Sequence, residues 1–171
     1  MKTIGIIRRV DELGRIVIPK ELRNNLKIKS GDFLEIFLDD NKISLKKKDL
    51  IENCPDSLNS LLKIISKRLN LDIIITDTDK FIYKEGYKSG DILNKEIGND
   101  LYKCILKRNT IMKSNFEIFS NRKVNMILEP IIVNGDVLGS VIFFKENAVI
   151  NKSDELAIEI ITKLLINYLE V

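Results

Sequence analysis

Apolar and polar residues alternate in short runs along the first fifty positions. From Ile4 to Val10 a period of two puts Ile4, Ile6, Arg8 and Val10 on one face. Asp11-Glu12-Leu13-Gly14 has the composition of a turn leading into Arg15-Ile16-Val17-Ile18. A hairpin is predicted here, with Gly5 marking a bulge or a close backbone approach. Pro19 suits the first position of a helix, Leu22 and Leu26 stand at i,i+4 on one helical face, and Gly31-Asp32 turns the chain into a strand from Phe33 to Leu38. Asp39-Asp40-Asn41 turns it again, into Ile43-Ser44-Leu45.

The pattern changes after a polar stretch from Lys46 to Ser57 that contains Pro55. The expected organisation is therefore a domain over residues 1–50, a linker over 51–57 and a second domain over 58–171. Leu58, Leu61, Leu62, Ile65 and Leu69 repeat at helical spacing, with Asp56 or Ser57 as the cap. Strands follow at Leu71–Thr76 and Lys80–Lys84, around a turn at Asp77-Thr78-Asp79. Leu93, Ile97, Leu101 and Ile105, four apart, predict a helix over Asp91–Lys107, and Asn115–Ser120 reads as a strand. Lys123–Val133 and Val137–Lys145 flank Asn134-Gly135-Asp136 as a hairpin. Asn151 to Glu155 caps a last helix running nearly to Val171. The order α, β, β, α, β, β, β, α describes an antiparallel sheet with flanking helices, of α+β class. The last helix carries Leu156, Ile160, Ile161, Leu164, Leu165, Tyr168 and Leu169, a stripe wider than one sheet face requires. Core packing within one chain and a helical interface with residues 58–69 both remain open.

At 171 residues, 44% hydrophobic and 31% charged, the composition is that of a soluble globular protein. Apolar runs such as Val141–Phe144 fall far short of the ~20 residues that cross a bilayer, and the first residues lack a signal-peptide core, so a cytoplasmic protein without membrane contact is expected. There is no histidine, and Cys54 and Cys104 lie far apart, which removes zinc-finger spacing and every histidine-dependent triad. No enzymatic activity and no cofactor are expected. The net charge of +3 hides an asymmetry: residues 1–50 hold 12 Lys/Arg against 8 Asp/Glu, and the remainder 16 against 17. Four short strands and one helical turn bury too little apolar surface to stand alone. Without disulfide or metal, dimerisation is the expected way to complete that core.

The excess charge sits at Arg8, Arg9, Arg15, Lys20, Arg23 and Lys27. Guanidinium groups on a rigid hairpin bind phosphates bidentately or reach guanine edges, releasing counterions. From charge alone a solvated surface explains them equally well. The stretch from Thr3 to Arg23, with Gly14-Arg15-Ile16-Val17-Ile18-Pro19 followed by Glu21-Leu22-Arg23, resembles the signature of the bacterial transition-state regulators, a swapped-hairpin DNA-binding family. Glu129 to Val141 resembles the hairpin of a GAF domain, with turn and packing glycines at Gly135 and Gly139. Together they resemble two-module sporulation regulators. The resemblance implies an N-terminal swapped-hairpin β-barrel dimer followed by a GAF-like sheet with flanking helices. It also implies activation or repression of sporulation genes from the forespore nucleoid. Double-stranded DNA, AT-rich and deformable, would be held by Arg8, Arg15 and Arg23, with Arg9 and Lys20 nearby. Relatives often carry a second arginine after the one matching Arg23; here it is Asn24, which keeps hydrogen-bonding capacity and loses a charge. Self-association into a tetramer through the C-terminal helices, and a small-molecule ligand in the GAF-like domain, are further expectations.

Two rival functions compete. Some GAF-fold proteins are cysteine-dependent reductases, and Cys104 with Cys54 would be the pair, although Cys104 falls in the apolar pattern of Leu101 and Ile105. Antitoxins share the swapped-hairpin fold and bind a protein partner through an unfolded tail, where this chain predicts an amphipathic helix. Asp39 with Asp40, and Asp77 with Asp79, are possible metal ligands, but each pair occupies a predicted turn, where aspartate serves local hydrogen bonding.

Overall fold

In the computed structural model the described residues are 5–26, 28, 34–47, 56–86, 91–119 and 122–169, and the chain divides into two units, Met1–Lys48 and Asp49–Val171. Ile4, the turn residues Gly31 and Asp32, Phe33 and Cys54 lie outside the described residues.

The N-terminal unit departs from the expected hairpin. Residues 5–10 and 15–19 extend on either side of a turn at 11–14 with no strand ladder between them. Here Ile7 is 94% exposed, and Val10, Ile16 and Val17 are exposed as well. Within one chain the space around Gly5 is open. Helix α1 (Lys20–Asn25) begins one residue later than expected: Pro19, at φ −58° and ψ 146°, is its N-cap, and its carbonyl accepts the Arg23 N–H. Strands β1 (Leu34–Asp39) and β2 (Lys42–Lys47) pair antiparallel with Asp39 opposite Lys42. That register leaves Asp40-Asn41 as a two-residue loop, with Asp40 in the left-handed region at φ +47°. No described residue from 5 to 46 is buried.

The second unit is built differently. Helix α2 (Asp56–Leu69) precedes β3 (Asp72–Asp77) and β4 (Phe81–Glu85), helix α3 (Asn99–Ile105) precedes β5 (Ile111–Phe119), β6 (Arg122–Val133) and β7 (Asp136–Lys145), and helix α4 (Lys152–Leu169) ends the described chain. The five strands form one antiparallel sheet in the order β4-β3-β7-β6-β5. Asp56 and Ser57 belong to the first turn of α2 rather than capping it. The β6–β7 loop is Asn134-Gly135, at φ +50° and +84°, and Asp136 already pairs with Val133. Both loop residues adopt the left-handed conformation that a tight hairpin requires.

Each central strand is buried on both faces, which explains the unbroken apolar runs at Ile73–Ile75 and Val141–Phe144. Ile74, Met126, Leu128, Ile142 and Phe144 meet Leu101, Cys104 and Ile105 of α3 on one face. By strand alternation Ile73, Ile75, Ile127, Val141 and Phe143 face the other way, where α2 and α4 pack.

The expected helix over Asp91–Lys107 forms only from Asn99. Upstream, the chain is recruited as backbone partner of the β4 edge: Asn94 N–H donates to the Phe81 carbonyl, Phe81 N–H to Lys95, and Lys80 bridges Glu96. Asn94 sits at φ +62°, which no helix accommodates. Tertiary hydrogen bonding outweighed a four-residue spacing in which Leu93 ends up exposed.

The apolar residues of α4 are part buried and part exposed. Ile158, Ile161, Leu165 and Leu169 are buried, while Leu156 is 60% and Ile160 48% exposed, and Tyr168 is also exposed.

Candidate nucleic-acid interface

Arg8, Arg9, Arg15, Lys20, Arg23 and Asn24 are all exposed. They fall into two groups. Arg8 and Arg9 lie in the first arm and Arg15 opens the second, immediately past the turn. Lys20, Arg23 and Asn24 lie on α1, where spacings of three and four residues place Arg23 and Asn24 beside Lys20 on one helical face. Among the described residues no hydrogen bond or ion pair joins one group to the other.

The turn between the arms is organised by Asp11. Its backbone N–H donates to the Arg15 carbonyl at 3.0 Å and its carbonyl accepts the Gly14 N–H at 3.0 Å. Its carboxylate Oδ1 accepts the N–H groups of Leu13 at 3.0 Å and Arg15 at 2.8 Å, and Oδ2 accepts Arg15 Nε–H at 2.7 Å. Gly14, at φ +76°, supplies the left-handed residue that closes the turn. Bonds from the Arg15 backbone, then its guanidinium, then the Leu13 N–H favour the ionised carboxylate, so its pKa lies below the ordinary aspartate value. Asp11 was not among the residues expected to matter for binding; its signal in the sequence is a carboxylate four positions before an arginine across a glycine turn.

Asp77 Oδ1 accepts the N–H groups of Asp79 at 2.6 Å and Lys80 at 2.5 Å, a local turn role. No cluster of metal-ligating side chains occurs among the described residues. Cys104 is buried against the sheet. Among the described residues no helix is long and apolar enough to cross a membrane. On the face of the sheet that carries α3, a recess of about 470 Å³ is lined by Phe81, Ile92, Lys95, Glu96, Leu101, Glu117 and Phe119. Phe81, Phe119 and Phe144 pack edge to face, with ring centres 6.3 and 6.1 Å apart.

Residues 58–170 match the family model described as stage V sporulation protein T C-terminal, transcription factor. The whole chain is 35% identical to stage V sporulation protein T of Bacillus subtilis, with 99% of each chain covered. The chain belongs to the stage V sporulation protein T family. Its N-terminal unit has a second set of relatives. Residues 7–52 match the model described as antidote-toxin recognition MazE, bacterial antitoxin. Forty-seven residues, 28% of this chain, are 64% identical to the transition state regulatory protein AbrB of Bacillus subtilis and cover 49% of it. The cofactor-binding GAF domain of the nutrient sensor CodY from Clostridium difficile superposes with a TM-score of 0.50 at 16% identity, over 63% of this chain and 80% of that one. This chain thus joins a unit similar to the transition-state regulators to a GAF fold, the architecture expected of it.

Proposed function

We propose that this protein is a sporulation transcription regulator that binds AT-rich, deformable duplex DNA through Arg8, Arg15 and Arg23 of an N-terminal dimer, with Arg9, Lys20 and Asn24 alongside. The observation that carries the reading is that six polar and basic side chains, in two groups, stand exposed on a unit in which no described residue from 5 to 46 is buried. Such a unit gains a core only when a second copy covers Ile7, Val10, Ile16, Val17, Ile36 and Leu38. Dimerisation doubles each cation and sets the pairs on a two-fold axis, as duplex half-sites require. The phosphate-directed cations act across sequences, and DNA deformability supplies preference.

The exposed Leu156, Ile160 and Tyr168 face of α4 supports a second interface, and with different subunits paired at the two ends the assembly is a tetramer. The recess beside Phe81 and Glu117 is the place for a small-molecule ligand. The regulator acts at the nucleoid and performs no reaction.

A salt titration of DNA affinity tests the central claim. Arg15→Ala removes two cations per dimer, so affinity falls about tenfold or more and the log–log salt slope by about 1.8 if both contact phosphates. An Arg15→Ala protein with native affinity and slope refutes the assignment. Light scattering tests the assembly: four chains are expected for the native protein and two for Ile160→Asp, and a native mass of two chains refutes the tetramer.

A further inference from the structure

Asp11 places a negative charge beside the arginine that the proposed interface directs at a polyanion. On charge alone, such a residue opposes DNA binding. The geometry shows a different use. Oδ2 takes the Nε–H of Arg15 at 2.7 Å, while Oδ1 takes the Arg15 backbone N–H at 2.8 Å, so one carboxylate grips both ends of the same residue. A guanidinium has five N–H donors, and Nε provides one; the four on Nη1 and Nη2 form the outer fork that meets a phosphate or the O6/N7 edge of guanine bidentately. The Arg15 side chain is 71% exposed, so without this grip it would sample many rotamers.

We infer that Asp11 is a positioning residue for DNA binding: it holds Arg15 by Nε within the 11–15 turn and thereby presents the Nη1/Nη2 fork to DNA in a preset orientation. The inference rests on the assignment of Arg15 to the DNA interface. It predicts a sign opposite to that of simple electrostatics. Removing the charge of Asp11 adds a net positive charge to each chain, which by counterion release alone tightens binding. Loss of the grip frees the fork, and the ordering of a long side chain must then occur at each binding event.

Asp11→Asn separates the two effects, because the Asn carbonyl still accepts the Leu13 and Arg15 backbone N–H groups while its amide cannot accept Nε–H. Fluorescence anisotropy on the full-length protein, with an AT-rich duplex and a mixed-sequence duplex of equal length, provides the readout. Asp11→Asn is expected to weaken binding about fivefold or more, the scale of part of an arginine's rotamer freedom, with melting temperature and oligomer mass unchanged. In an Arg15→Lys background, where the cation remains but Nε is gone, the same Asp11→Asn change is expected to leave affinity unchanged or raise it. Native affinity or tighter binding for the single variant overturns the positioning role. So does equal weakening in both backgrounds, which marks a turn defect. If Asp11→Asn fails to dimerise, nitrogen-15 NMR of the Arg15 Nε–H group in the native protein decides: a side chain as mobile as an unrestrained surface arginine refutes the grip. Should Arg15→Ala leave affinity intact, the DNA assignment of Arg15 falls and takes this inference with it; weakened Arg15→Ala beside unaffected Asp11→Asn removes the positioning role alone.

Discussion

Substituting Asp154 by alanine probes the joint between the last strand and the last helix. Asp154 is fully buried and receives Lys145 Nζ at 2.9 Å on Oδ1 and 2.7 Å on Oδ2, and the Lys145 side chain is itself only 9% exposed. The same carboxylate accepts the Asn151 N–H at 2.9 Å, and Asn151 Oδ1 accepts the N–H groups of Ser153 at 2.9 Å and Asp154 at 3.2 Å, a reciprocal cap at the start of α4. Asp154→Ala strands the Lys145 ammonium in a site built around its partner, which costs about 3–5 kcal/mol, and the lost cap bond adds about 1 kcal/mol. Against a domain stability of roughly 5–15 kcal/mol this removes about a quarter or more of the total. For a unit spanning Asp49–Val171 it corresponds to a fall of roughly 15–25 °C in melting temperature. The protein has no tryptophan, so urea and thermal melts are followed by helical circular dichroism. Adding Lys145→Met to Asp154→Ala removes the stranded charge and is expected to recover most of the loss. A single-variant loss below about 1 kcal/mol, the range of a solvent-exposed ion pair, refutes the reasoning, as does a double variant no better than the single one.

Other consequences are open to direct measurement. A Cβ at Gly139 overlaps the Thr76 carbonyl oxygen across the β3–β7 pair, so Gly139→Ala is expected to destabilise the sheet by about 1–3 kcal/mol, and an unshifted urea midpoint contradicts that packing. Asn24→Arg restores the cation that the family pattern often places beside Arg23; DNA affinity is expected to rise and the salt slope to steepen by up to about 1.8 per dimer, with an unchanged slope showing that position 24 does not meet phosphate. Burial, then the nearby Glu85 charge and the hydrogen bond to it, push the Tyr83 pKa up to about 12. Because the folded state holds that proton more tightly, the stabilisation is complete below the ordinary tyrosine pKa near 10 and is lost as pH rises through 12. A tyrosinate absorbance titration should therefore show an ionisation step near pH 12, and Tyr83→Phe should remove that step.

Much of the architecture was legible because it is encoded over short separations. A strand buried on both faces has to be apolar at successive positions, as at Ile73–Ile75. A two-residue hairpin needs left-handed residues, as at Asn134-Gly135, and a capped helix announces itself at Asn151. These are steric and hydrogen-bonding rules within a few residues, and they placed four strands of the C-terminal sheet to within one position, while β5 begins at Ile111, four residues before the expected Asn115. They failed at Asp91–Gly98, where spacing alone suggested a helix and the β4 edge instead took the backbone as its partner.

The sequence by itself determined the family and the set of exposed cations, since the run from Gly14 to Arg23 combines a turn glycine, alternating β-branched residues and spaced arginines that few folds require together. Only the tertiary structure decided which half of the α4 stripe is core, that the N-terminal arms carry no ladder within one chain, and that Lys145 and Asp154 share a buried site. It also decided that Asp11, by sequence a turn former, holds Arg15. The physical reason is common to all of these. Periodicity says which residues share a face of one element, whereas burial and the pairing of charges depend on what lies opposite that face, and the opposite surface comes from elsewhere in the chain or, for the arms, from a second copy of it.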